Sequence, residues 1–376
     1  MANHITNLQI DTYRGVKGLQ IENLGRVNIF VGDNNTGKTS VLEAIQLLCN
    51  PSVYNLIQLA RQREKFKVTI RMGLSLFDSI LYMFDVRTSN KGENNYCISI
   101  GGTINGILGN VYVSGKVVNQ LIDLKEIARI DPIIRHKLSD VVVQEQEETP
   151  VFIGDIKNSF NTNKQIGLFD ESEYRIEINK YSRVMRNINE KPILDVKLVQ
   201  TVDHLIENSF NNLIRNKELK GEAVELLKEF DDTITDIRYI NDDTRFIPVI
   251  ENGEKDYIPL SLYGDGMKKA LSMLNAIVSA KNGVVLIDEF ETALHTSAMN
   301  RVFTFILEVS KRLNVQLFLT THSIEAVDKL LGSSGENIHD LRVIRLKKKG
   351  ETTLAKVIEG KEALDDRKEY NMELRV

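Results

Sequence analysis

The sequence predicts an α/β protein with a mixed, largely parallel central sheet, an antiparallel β region and an inserted, partly helical lobe. An apolar run at Val27–Val31 is followed by a glycine-containing loop and then by apolar residues at helical spacing, from Val41 to Cys49. Further along the chain, apolar runs at Val284–Ile287 and 315–319 are separated by a helical pattern. That strand–helix–strand order implies parallel pairing within one sheet.

The segments between these two regions are less regular. Residues 4–21 show strand patterns on both sides of a turn at 13–15. Residues 66–120 are β-rich by their alternation, which includes residues 67–72, and glycines separate the predicted strands. Residues 121–190 have no clear pattern, so no element is predicted there.

Two helices are predicted before the C-terminal third. Apolar residues recur at helical spacing over 194–214, and a second helix follows, which predicts a helical hairpin near 194–231. The spacing allows a hairpin that projects from the core or an ordinary packed helix pair. We therefore predict one discontinuous main domain, residues 1–110 and 236–376, which we call the head. An inserted lobe at residues 111–235 interrupts it.

The composition is that of a globular protein without a membrane span. Of the 376 residues, 42% are hydrophobic and 27% are charged, and no apolar run approaches the ~18 residues of a transmembrane helix. The formal net charge of −4 gives no electrostatic case for sequence-independent DNA binding, although a local basic face remains possible. The two cysteines form no C-x-x-C, and no signal peptide is evident, so we expect a cytoplasmic protein.

The string G-D-N-N-T-G-K-T at residues 32–39 matches the phosphate-binding pattern G-x-x-x-x-G-K-[ST]. Gly32 and Gly37 allow the backbone to curl so that its N–H groups point at a phosphate. Lys38 is expected to reach the β- and γ-phosphates of ATP, and the Thr39 hydroxyl to ligate Mg²⁺. The other predicted phosphate-binding residues are Asn34, Asn35, Thr36 and Ser40.

The two later apolar runs each end in side chains suited to phosphate chemistry. Asp288 and Glu289 follow the first run, and we expect Asp288 to hold Mg²⁺ through water and Glu289 to polarise the attacking water. His322 follows the second run, at the sheet edge where ligands bind in parallel sheets, and is predicted to sense the γ-phosphate.

Together these elements resemble the ABC-type ATPase heads of the SMC, RecF and OLD-nuclease group. The match is to the AAA-15/AAA-21 class of OLD-like ATPases found in bacterial phage-defence systems, over roughly residues 3–50 and 258–330 plus the C-terminal hairpin and tail. The strings that carry it are I-T-N-L-Q-I-D-T-Y-R-G-V, V-N-I-F-V-G-D-N-N-T-G-K-T-S-V-L-E-A-I, V-V-L-I-D-E-F-E-T-A-L-H and V-Q-L-F-L-T-T-H-S.

The resemblance implies an ATP-sandwich homodimer in which a signature loop completes the partner's site. The matching segment is Y-G-D-G-M-K-K, although a serine common at the position of Gly264 is missing. His295 is implied at the dimer seam, and Arg14 as a base or phosphate contact. The implied signature residues are Gly264, Asp265, Gly266 and Met267. For the glutamine loop of such heads, Gln46, Gln58 and Gln62 are all weak candidates.

The nuclease parts of related proteins have no counterpart in the motifs. A Toprim domain needs a D-x-D cluster, and the segment after His322 has none, while the six histidines lack HNH or zinc-ligand spacing. The leading hypothesis is an ATPase that regulates a separate Toprim-type or HNH nuclease, encoded nearby, in anti-phage defence. The alternatives are a RecF/SMC-like DNA-binding ATPase of genome maintenance and a slow-turnover ATP-binding scaffold. A transporter cassette fits least.

Overall fold

The computed structural model describes residues 4–63, 74–84, 95–124, 146–160, 172–182, 191–203, 210, 213–214, 216–242, 245–253, 255–370 and 372–374. The strands are β1 Ile5–Tyr13, β2 Val16–Ile21, β3 Val27–Val31, β4 Asn95–Ile104, β5 Ile107–Asp123, β6 Gln146–Asn158, β7 Ser172–Asn179, β8 Val196–Val199, β9 Ile234–Asp242, β10 Arg245–Asn252, β11 Lys255–Pro259, β12 Val284–Ile287, β13 Gln316–Thr320, β14 Leu341–Lys349 and β15 Thr352–Glu359.

The helices are α1 Lys38–Cys49, α2 Val53–Gln62, α3 Leu76–Leu81, α4 Lys217–Lys228, α5 Asp265–Ser279, α6 Thr296–Arg312, α7 Ile324–Ser333 and α8 Gly360–Tyr370, with 3-10 turns at Leu260–Leu262 and Gly335–Asp340. Within the ranges that the structure describes, no helix is both long and apolar enough to cross a membrane.

The central sheet has the strand order β15-β14-β3-β13-β12-β8. All neighbours from β14 to β8 are parallel, and only β15 is antiparallel. Every residue of β3, β12 and β13 is buried, which explains why β12 is a continuous apolar run and why β3 and β13 are mostly apolar. The predicted parallel pairing is confirmed, with Leu286 of β12 opposite Phe318 of β13.

Two apolar cores cover the two faces of this sheet. On one face, α5, α6 and α7 pack against side chains such as Ile29 and Val285. On the other face, α1 and the second sheet pack against Phe30, whose ring stacks on Phe318 with centroids 6.3 Å apart. The alternation of neighbouring side chains between the two cores fixes the register of β3, because a one-residue shift would exchange the faces.

The second sheet is antiparallel, in the order β2-β1-β4-β5-β6-β7, and a smaller sheet has the order β11-β10-β9. The predicted β-rich region is confirmed at β4 and β5, whereas residues 67–72 lie outside the described residues. The predicted lobe boundary at residue 111 falls inside β5, so the sheet continues across it. The division into head and lobe stays a prediction.

The predicted helix over 194–214 is wrong at its start, and with it the first arm of the helical hairpin near 194–231. Residues Val196–Val199 form β8, which pairs in parallel with β12 and places Val199 opposite Ile287. Apolar residues four apart, such as Leu194 and Leu198, fit a helix, but a sheet edge with open backbone groups accepts a short strand there. The second predicted helix is confirmed as α4, and residues 204–209 lie outside the described residues.

Candidate nucleotide-binding site

The loop between β3 and α1 depends on glycine at two positions. Gly32 has φ 141° and Gly37 has φ 98°, both in the region that side chains with a Cβ rarely adopt. A Cβ on Gly32 would lie 2.4 Å from the Leu346 carbonyl oxygen, and one on Gly37 would lie 2.6 Å from Val16 Cγ2. Gly37 caps α1 without any side-chain hydrogen bond, so the first N–H groups of α1 are available to an anion.

Lys38 lies across this loop. Its buried ammonium donates hydrogen bonds to the carbonyl oxygens of Gly32 at 2.7 Å and Asp33 at 2.9 Å. Burial lowers the pKa of Lys38, and the nearby carboxylate of Asp288 opposes that shift most strongly among the charges. A cation held against loop carbonyls is placed to exchange them for phosphate oxygens, which are stronger acceptors because they are charged.

Asp288 lies at the end of β12, where three hydroxyl groups converge on its carboxylate. Thr39 Oγ1 donates at 3.1 Å, Thr320 Oγ1 at 2.6 Å, and Thr201 Oγ1 lies 3.5 Å away. A carboxylate beside a hydroxyl is a donor set that suits Mg²⁺, which takes few protein ligands and completes its shell with phosphate and water. Among the described residues, no group of three or more His, Cys, Asp or Glu is placed to hold a metal ion.

The structure brings Glu289 and His322 together. Glu289 has φ 44°, and its backbone N–H donates to Thr320 Oγ1 at 2.9 Å. His322 Nε2 lies 3.8 Å from Glu289 Oε1. Glu291, the other acid of this turn, is mostly buried and accepts a 2.6 Å hydrogen bond from Thr321, and burial raises its pKa. Glu289 is therefore the carboxylate that is open to a water.

Sequence reasoning missed Gln200. It directly follows β8, so it lies at the same sheet edge as Asp288. Its Oε1 is buried without a hydrogen-bond partner among the described residues, and its Nε2 donates to the Gln62 carbonyl at 3.4 Å. Gln46, considered from the sequence, instead donates to Asn55. The available signal was a short, mostly apolar segment, Val196–Val199, followed by glutamine, and the prediction of a helix there hid it.

The signature residues form a separate surface. Gly264 caps α5 without a side-chain hydrogen bond, and Asp265, Gly266 and Met267 form its first turn. They line a cavity of about 470 Å³ together with His295, which caps α6. A Cβ on Gly264 would meet nothing within 4 Å, whereas one on Gly266 would lie 2.9 Å from the Ala293 carbonyl oxygen. We call residues 264–267 and His295 the signature face.

Arg14, which the family resemblance implies as a base or phosphate contact, is held in place by hydrogen bonds within the chain. Its guanidinium donates to Glu43 at 2.7 Å and to the carbonyls of Leu59 and Tyr82 at 3.2 and 3.3 Å. Arg63, which sequence reasoning missed, also pairs with Glu43 and donates to Ser40 Oγ at 3.0 Å. The residues that line the adjoining cleft of about 840 Å³ include Arg14, Arg63, Lys17, Lys347, Lys348 and loop residues Asp33, Asn34, Asn35 and Thr36.

Comparison with known proteins gives a match over most of the chain. The AAA ATPase domain family matches residues 4–327. An ATP/GTP phosphatase of Helicobacter pylori is 22% identical over 334 residues, 87% of each chain. A DNA replication and repair protein RecF of Clostridium beijerinckii is 23% identical over 209 residues, 54% of this chain and 52% of that protein. An SMC head domain from Thermotoga maritima is 11% identical, with 95% of this chain and 100% of that chain covered and a TM-score of 0.44.

Proposed function

Because this chain belongs to the AAA ATPase domain family AAA-15, we propose that it binds Mg-ATP on the loop at residues 32–39 and hydrolyses it to ADP and phosphate. One observation carries this proposal: the Thr39 hydroxyl contacts the Asp288 carboxylate, with Glu289 and His322 beside it on the same sheet edge. These side chains come from α1 and from the segments that follow β12 and β13, and their convergence supports a magnesium and water site at the γ-phosphate.

In the proposed reaction a water attacks the γ-phosphorus while the bond to the β,γ-bridging oxygen breaks and ADP leaves. Glu289 accepts the proton of that water, and His322 donates a hydrogen bond to the γ-phosphate. Lys38 exchanges its loop carbonyls for β- and γ-phosphate oxygens. Thr39 and Asp288 would hold Mg²⁺, whose charge neutralises the phosphates. Gln200, whose Oε1 has no hydrogen-bond partner among the described residues, is positioned to orient the water or a magnesium-bound water.

We propose further that ATP closes a homodimer, with the signature face of one protomer against the γ-phosphate of the other. The start of α5, which no side chain caps, supports this, because a helix N-terminus favours an anion. Moving such a pair from almost all open to almost all closed takes about 5.5 kcal/mol of differential binding. The dimer would regulate a separate Toprim-type or HNH nuclease in anti-phage defence, in the cytoplasm, and would cut no DNA by itself.

A RecF/SMC-like DNA-binding ATPase is the second candidate. The observation that favours it is the cationic cleft beside the phosphate-binding loop, with Lys347 and Lys348 from the β14–β15 hairpin and Lys17 from β2. Nucleic-acid binding there would weaken steeply with salt. A slow-turnover scaffold is supported only by the missing signature serine.

The test is phosphate release from Mg-ATP by the purified protein. We expect Asp288→Asn to abolish it, because the variant loses the carboxylate that holds Mg²⁺. The matched control is Asp365→Asn, which changes an acid paired with Lys361 on the exposed part of α8. Absence of phosphate release from the unmodified protein, or equal release by both variants, would overturn the proposal.

A further inference from the structure

Lys269 is a buried cation that the proposed reaction does not use. Its side chain is 0% exposed, in the middle of the helical turn that follows the signature residues. Burying an ammonium group is costly unless other groups compensate its charge. Its neighbour Lys268 is different, because it reaches the surface and pairs with Asp265 at 3.0 Å. The two lysines therefore form a natural internal comparison.

The ammonium of Lys269 bridges two strand ends. Nζ lies 3.5 Å from the carbonyl oxygen of Gln200, after β8, and 3.5 Å from the carbonyl oxygen of Asp288, after β12. Within the described residues no carboxylate forms an ion pair with it. Its only hydrogen bonds there are to the backbone of two residues that the proposed reaction places at the magnesium site.

The electrostatic setting is a cation facing a group of acids. Burial lowers the pKa of Lys269 to about 8, and the carboxylates of Asp288, Asp203, Glu291 and Glu289 oppose that shift. Lys269 therefore offsets part of the negative charge that also attracts a divalent metal. This ammonium would repel a metal ion bound beside these carboxylates, because like charges repel strongly in a poorly solvated site.

Near the same N-terminal end, α5 also contacts the segment after β12 through its first turn. Gly266 packs so closely on the Ala293 carbonyl that a Cβ would lie 2.9 Å from it. Helix α5 is thus anchored twice to the chain that carries Asp288 and Glu289, once through Gly266 and once through Lys269. A displacement of this first part of α5 would therefore move both contacts together.

We propose that Lys269 is a positioning residue that links the signature face to the magnesium site, by holding the ends of β8 and β12 to α5 and by weakening metal binding through its buried charge. This inference rests on the proposed function, because it assumes that Asp288 binds the metal. It assigns to one side chain two separable effects, a geometric one on turnover and an electrostatic one on metal affinity.

The decisive measurement is Mn²⁺ affinity by electron paramagnetic resonance, with ADP bound, in Lys269→Met and in the matched control Lys268→Met. Removing the buried charge should tighten Mn²⁺ binding at least about threefold, whereas Lys268→Met should stay within about twofold of the unmodified protein. In parallel, kcat for ATP should fall at least about tenfold in Lys269→Met only. A side chain needed merely for packing would lower both affinity and kcat.

Unchanged or weaker Mn²⁺ binding in Lys269→Met, with a normal melting temperature, would overturn the inference. If that variant does not fold, Lys269→Gln replaces it, because its amide keeps a donor to the carbonyls while removing the charge, and the same tightening is expected. The metal affinity decides the inference even if the unmodified protein released no phosphate, and that separate outcome would overturn the proposed function instead.

Discussion

The phosphate-binding loop and the signature face differ in how their polar groups are satisfied. In the loop, Lys38 and Thr39 already have partners within the chain, on Gly32, Asp33 and Asp288. On the signature face, the first turn of α5 has no side-chain cap, and the position of Gly264 is open on all sides. One region is a preformed site that can take a ligand by exchanging hydrogen bonds, and the other is an uncapped helix start that we propose is completed by a second protomer. The difference indicates that binding and closure are separable.

The largest effect should follow from removing the loop cation. Lys38→Ala leaves no group in the loop to neutralise the β- and γ-phosphates, so ATP affinity should fall at least about 100-fold. Calorimetric titration with Mg-ATP measures it, with Lys361→Ala on α8 as a surface control. An unchanged affinity would mean that the nucleotide does not bind at this loop, and the loop could then no longer be compared with the signature face as a preformed site.

The next effect separates chemistry from binding within the preformed site. Glu289→Gln should lower kcat at least about 100-fold while ATP affinity stays within a few-fold, because the amide cannot accept the proton of the water. Steady-state phosphate release measures it. Glu291→Gln is the control, since the mostly buried Glu291 carboxyl group already accepts a hydrogen bond from Thr321. If Glu291→Gln lost activity and Glu289→Gln kept it, the roles would be exchanged.

A third variant tests the signature face directly. Gly266→Asp places a carboxylate against the triphosphate of the partner and a Cβ against the Ala293 carbonyl, so ATP-dependent dimer formation should fail while ATP binding to the monomer survives. Light scattering with and without ATP measures the mass. Mixing Gly266→Asp with Lys38→Ala protomers should restore one composite site per heterodimer. No recovered activity on mixing would rule out a site shared between protomers.

The smallest effect concerns the sensor. His322→Ala should lower kcat about tenfold and affinity less, because His322 reaches Glu289 only at 3.8 Å and contributes one hydrogen bond to the γ-phosphate. Phosphate release at saturating ATP measures kcat, and titration measures affinity. A loss as large as that of Glu289→Gln would make His322 the proton acceptor instead.

Sequence reasoning succeeded where one local pattern determines the structure. The strand–loop–helix order around residues 32–37, the two fully buried strands β12 and β13 and their parallel pairing are all confirmed, because glycine conformation and apolar runs are local signals. The family match confirms the ATPase class. The roles of individual site residues, the OLD-like identity, the dimer and the defence context stay predictions.

What was missed depends on long-range pairing. Strand β8 has only four residues, and the spacing of the apolar residues around it fits a helix equally well. Only its pairing with β12 identifies the strand and places Gln200 at the sheet edge. Arg63 and Lys269 were missed for the same reason. Nothing in the sequence around Arg63 indicates its contact with Ser40, and nothing around Lys269 indicates that it is buried against the Asp288 carbonyl.

The close contact between Gly32 and the Leu346 carbonyl has a consequence for biosynthesis. Gly32 packs against β14, which pairs with β3. More than 300 residues separate the paired positions, for example Val27 and Leu341. Pairing at such separation is slow because a long loop must close first. A ribosome that adds about 5–20 residues per second needs tens of seconds to deliver β14 after β3. During that interval the nascent chain lacks the finished loop, so under the proposed function ATP would stabilise only molecules whose translation has passed residue 346.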